Sequence, residues 1–95
     1  MSNQKEFIQR QHDEVKETLD RLREHQSDVE ERLQSDPDSE KLKELLAESK
    51  EGIETLEPVL EEFDRADVDP EELINFSQTI EDWQIKEKEI ASKLA

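Results

Sequence analysis

Ile8, Val15, Leu22 and Val29 recur every seven residues. His12, Leu19, Gln26 and Leu33 form a second set, each four residues after a member of the first. Two such sets at this offset are the a and d positions of a heptad. Held over four heptads, they demand a helix whose narrow seam packs like a coiled-coil strand. The first helix is therefore predicted from about Asn3 to Gln34, with Asn3 as its cap and Glu6 three residues later in capping-box spacing.

Ser35-Asp36-Pro37-Asp38 ends that pattern. Asp36 is the expected cap of the next helix, with Pro37 in a first turn where its missing N–H costs nothing. Leu42, Leu45, Leu46, Ile53, Leu56, Val59, Leu60 and Phe63 mark a second helix over about 37–66, with a wider apolar stripe. Gly52 lies on that stripe, and Pro58 inside the helix predicts a kink. Asp69-Pro70-Glu71-Glu72 repeats the cap chemistry, with two glutamates at the positive end of the helix dipole. Leu73, Phe76, Ile80, Trp83, Ile90 and Leu94 then mark a third helix over about 70–94.

The two Asp-Pro signals lie 33 residues apart, so the chain divides into three similar segments. Short turns force successive helices antiparallel. The fold predicted for residues 1–95 is one all-α domain, an elongated up-down-up three-helix bundle. A hairpin of two helices with a displaced third is the alternative arrangement. The long heptad helix, the Asp-Pro turn and the next helix resemble, in layout alone, small helical secretion chaperones and spectrin-type bundles. That likeness carries over no site residues.

Composition narrows the function. Charged residues make up 43% and hydrophobic ones 31%, a balance that would suit a disordered chain if the apolar residues were not so regularly spaced. Acids outnumber bases 28 to 13, which argues against direct nucleic-acid binding and against anionic membranes. No cysteine is present for a disulfide or a thiolate metal site. No apolar leader follows Met1, and no apolar run approaches the roughly 20 residues of a membrane span. The expected location is the cytoplasm.

Catalytic and metal-binding patterns are not found. His12 and His25 are preceded three residues earlier by Gln9 and Leu22, so neither belongs to a Glu-x-x-His pair. Asp67, Asp69 and Glu71 alternate as in a calcium loop, but Glu72 stands where that loop needs glycine, and Gln78 stands where it needs a bidentate glutamate. No nucleophile–base arrangement or phosphate loop is recognisable. The expectation is a protein that is not an enzyme and uses no metal or cofactor.

Two features point to binding. Residues 1–35 carry six bases and nine acids (−3), residues 36–68 four and twelve (−8), and residues 69–95 three and seven (−4). On the middle helix Glu44, Glu48, Glu51, Glu54, Glu57, Glu61 and Glu62, with Glu40, fall opposite the apolar stripe. That strip either keeps the rod soluble or meets a basic partner. The second feature is apolar residues off the stripes: Phe7, and the pair Ile74 and Ile85, eleven residues and three turns apart. Gln26, Ser49 and Glu87 interrupt the three stripes, so the core reads as thin enough for a partner helix to complete.

The function expected first is a protein-binding module, such as an adaptor, small chaperone or assembly subunit. It would act by helix packing on another protein or on a second copy of itself. The alternative is an acidic inhibitor that imitates nucleic-acid phosphates in a basic groove, as a phage anti-defence protein does.

Overall fold

The computed structural model describes residues 3–65 and 67–95. It contains α1 (Asn3–Ser35), α2 (Glu40–Asp64), a short α3 (Pro70–Ile74) and α4 (Ser77–Leu94). At about 1.5 Å per residue, the 33 residues of α1 account for nearly all of the 53 Å length of the rod, which is 21 by 16 Å across. Cross-helix contacts fix the directions. His12 near the start of α1 meets Asp64 at the end of α2, so these two run antiparallel. Arg32 near the end of α1 donates to the Leu94 carbonyl at the end of α4, so those two run parallel. The result is an up-down-up all-α bundle.

The heptad residues form its core. Val15, Leu19, Leu22 and Val29 of α1 pack with Leu45, Leu56 and Val59 of α2 and with Ile80, Trp83, Ile90 and Leu94 of α4. Leu33, Leu42, Leu46, Ile53, Leu60, Phe63 and Phe76 close its edges. Apolar burial of this kind contributes about 25 cal/mol per Å², which is why a chain this charged still folds on its seams.

The helix ends differ from the expectation in three places. First, α2 begins at Glu40 and not near Pro37. Its cap is Ser39, whose Oγ accepts from the Leu42 N–H at 3.2 Å, and not Asp36. Pro37 and Asp38 instead form the turn that precedes it. Serine caps as well as aspartate does, and a later cap leaves room for the chain to reverse. Second, α2 ends at Asp64, two residues before the expected end, with Pro58 inside it.

Third, the third limb is interrupted after Ile74. Asn75 and Phe76 keep right-handed helical angles, but their N–H groups bond to the Glu72 and Leu73 carbonyls, three residues back. This is a tightened turn of the 3₁₀ kind, placed at Asn75, a weak helix former. Leu73, Ile80 and Trp83 stay buried on both sides of it, so the seven-residue phase carries through. Asp69 caps α3 as its Asp-Pro spacing predicts, accepting from the Glu71 N–H at 3.0 Å. The cap expected at Asn3 involves a side chain outside the described residues.

The last turn of α2 holds Glu61, Glu62 and Asp64 and no base, against the negative end of its dipole. Neighbouring side chains contact these acids. His12 Nε2 lies 2.8 Å from Asp64 Oδ1. Arg65 sits 3.4 Å from Asp67 and 3.3 Å from Glu62. Asp67, by hydrogen bonding and by charge, and then Glu62 raise the Arg65 guanidinium above its ordinary pKa.

Candidate contact surface

The stripe positions that looked like gaps are filled from within. Glu87 is only 4% exposed, with Oε2 2.8 Å from His25 Nε2 and Oε1 3.7 Å from Arg21 Nη1. Ser49 is fully buried, and its hydroxyl donates to the Leu45 carbonyl at 2.9 Å. Gly52 is the place where α4 approaches α2. A Cβ there would stand 2.7 Å from Leu22 Cδ1 and 2.8 Å from Trp83 Cζ3. The missing side chain is therefore a notch that Leu22 and Trp83 already occupy. Gln26 is half-buried. None of these positions leaves the core waiting for an outside helix, so that part of the sequence argument does not carry over.

The acidic strip of α2 is outward-facing. Glu44, Glu48, Glu51, Glu54, Glu57 and Glu61 are exposed and Glu62 is half-buried. Glu57 receives Arg23 from α1 at 2.9 Å, and Glu62 pairs with Arg65. Among the described residues, no cation stands within ion-pair distance of Glu44, Glu48, Glu51, Glu54 or Glu61. On α1, Glu17, Asp20 and Asp28 each pair with an arginine three or four residues along the same helix. The surface is uneven in net charge, −3 over residues 1–35 against −8 over residues 36–68, although each of the two helices pairs only three of its nine acids with an arginine or lysine.

The apolar candidates are more scattered. Ile74 is 38% exposed and Ile85 51% exposed, the two large exposed hydrophobic residues of the described chain. The tightened turn lies between them. Phe7 is half-buried near the start of α1. None of the three lines a groove described for the molecule. His12 is a boundary residue, edge-on to the Phe63 ring with centroids 6.5 Å apart. Among the described residues, no three acidic or imidazole groups stand close enough to share a metal ion, and no helix is long and apolar enough to cross a membrane.

One concave feature joins the acidic strip to α4. Glu48 and Glu51 of α2 and Trp83, Lys86 and Glu89 of α4 line a groove of about 190 Å³. The Lys86 ammonium sits over the Trp83 ring, 4.5 Å from its centroid. Sequence reasoning placed Trp83 in the core and left Lys86 and Glu89 unassigned. The three-residue step from Trp83 to Lys86 was the available signal. It also missed the His25–Glu87–Arg21 cluster, although Gln11, Thr18, His25 and Arg32 form a third sevenfold row on α1.

No protein-family model matches the chain. A search of curated proteins finds no similar sequence, and a search of solved structures finds no similar fold. Any functional reading therefore rests on the surface itself.

Proposed function

We propose that this protein is a non-catalytic binding module whose contact surface is the glutamate face of α2 and whose partner is a basic protein. The observation that carries the reading is the run of exposed glutamates, Glu44, Glu48, Glu51, Glu54 and Glu61, without an ion pair among the described residues, on the segment with the largest charge excess, −8 over residues 36–68 against −3 over residues 1–35. A strip of one sign focuses potential and steers an oppositely charged partner. The closed core favours contact through this outer surface over insertion of a partner helix. Within the same reading, the strip could occupy a site that otherwise holds nucleic-acid phosphates. In that case the partner releases DNA or RNA when it binds.

The test is affinity against ionic strength. Binding to a basic partner should fall steeply from about 50 to 500 mM salt, since surface charges separated by more than about 10 Å are screened at 0.1 M. Replacing Glu44, Glu48, Glu51, Glu54 and Glu61 with glutamine should abolish it while leaving the helical circular dichroism intact. Binding that ignores salt would defeat the proposal. The apolar route has its own test: Ile74→Glu with Ile85→Glu should leave both fold and binding unchanged. If that double variant alone loses the partner, or loses self-association, the contact is apolar.

A further inference from the structure

We propose that the groove between α2 and α4 is a subsite for one cationic side chain, a lysine or arginine of the basic partner, seated on the Trp83 ring between Glu48, Glu51 and Glu89. The inference rests on the acidic-face reading and gives it an anchor point.

Carboxylates on a charged surface would indicate nothing by themselves; the aromatic floor is what indicates a cation. Trp83 is 95% buried, being only 5% exposed, and it still lines the groove. Its Cε3–Cζ3 edge is the one turned to Gly52. The ring face already attracts a cation, because Lys86 holds its ammonium 4.5 Å from the centroid. Tryptophan is the aromatic residue that binds cations best, and burial of the ring strengthens the attraction by excluding water.

The rest of the groove fits the same ligand. It holds three carboxylates and one ammonium, so an incoming positive charge meets net negative charge even with Lys86 in place. A volume of about 190 Å³ takes one long side chain, with its alkyl stem along the groove, and no folded small molecule. Lys86 is exposed and makes no ion pair among the described residues, so no ion pair has to break when an incoming cation replaces its ammonium on the ring. Gly52 sets the geometry: a side chain there would meet the Trp83 ring and push it from its seat.

The experiment titrates the full chain with tetra-arginine and tetra-lysine peptides. Trp83 is the only tryptophan, so its fluorescence reports on this groove alone, while calorimetry reports on total binding. The expected result is a saturable change in Trp83 emission. The Glu48→Gln/Glu51→Gln/Glu89→Gln variant should then bind about tenfold more weakly than the Glu44→Gln/Glu54→Gln/Glu61→Gln variant, which has the same net charge. Lys86→Gln should tighten binding more than Lys88→Gln. Circular dichroism checks that each variant keeps its helices. Calorimetric binding with unchanged Trp83 emission, or equal weakening by the two triple variants, would overturn the groove and leave the acidic face standing. No binding at low ionic strength would overturn both.

Discussion

The seam between α1 and α2 and the seam between α1 and α4 share a seven-residue spacing but are built from different chemistry. Along the first, Val15, Leu19 and Leu22 meet Leu45, Leu56, Val59 and the Gly52 notch, and polar links such as Arg23–Glu57 stay at the exposed edge. Along the second, a carboxylate sits inside the seam. Glu87 lies between Ile80 and Leu94 at sevenfold spacing and turns to His25 and Arg21, and Arg32 reaches the last carbonyl of α4. Apolar burial is strong but tolerant of sliding. A buried carboxylate adds little net stability, because desolvation cancels most of its attraction, but it accepts hydrogen bonds from one place only. The contrast assigns stability to the α1–α2 seam and the register of α4 to the α1–α4 seam.

That division can be broken experimentally. The largest effect is expected at Leu22, which is fully buried beside both Gly52 and Trp83. Leu22→Ala should cost about 2–5 kcal/mol in urea unfolding, the usual range for a core leucine. A loss under about 1 kcal/mol would mean the core can collapse around the gap and does not depend on this seam. At Glu87 the two seams separate. Glu87→Ala should cost about 1–3 kcal/mol by stranding His25 and opening a cavity. Replacing both partners, Glu87→Leu with His25→Leu, should leave stability equal or higher, as apolar replacement of a whole buried polar pair often does. The leucine variant should instead show more than one indole N–H resonance for Trp83, since nothing would then hold α4 in one register. A single sharp resonance would refute the register role.

Gly52→Ala comes next. Alanine gains roughly 1 kcal/mol in helix propensity, but its Cβ would overlap Leu22 and the Trp83 ring. Overpacking of this kind costs about 1–3 kcal/mol, so a net loss of up to about 2 kcal/mol is expected, with altered Trp83 fluorescence. A gain in melting temperature would show that α4 is not seated in the notch. The smallest effect belongs to the exposed Arg23–Glu57 pair, where Arg23→Gln should change stability by less than about 1 kcal/mol.

The helices and the core were legible in the sequence because heptad spacing is a local, periodic signal. Val15, Leu22, Leu45, Leu56, Ile80 and Ile90 were all expected in the core and all are buried. The outward face of α2 was legible for the same reason. The start of α2 was misread because Asp36 and Ser39 are both competent caps, and the choice depends on how the turn packs. Glu87 was misread as a defect because one chain segment cannot show which side chains lie across from it.

Periodicity alone was enough to dictate three helical limbs, an apolar inside and an acidic middle helix, since each follows from the angle between successive residues of one helix. It could not dictate who faces whom. That His25 answers Glu87, that Gly52 is a seat for Trp83, and that Lys86 lies over that ring beside the glutamates of α2 depend on the relative axial position of separate helices. Axial position is set by how side chains from all three interlock, so these contacts appear only in the assembled bundle.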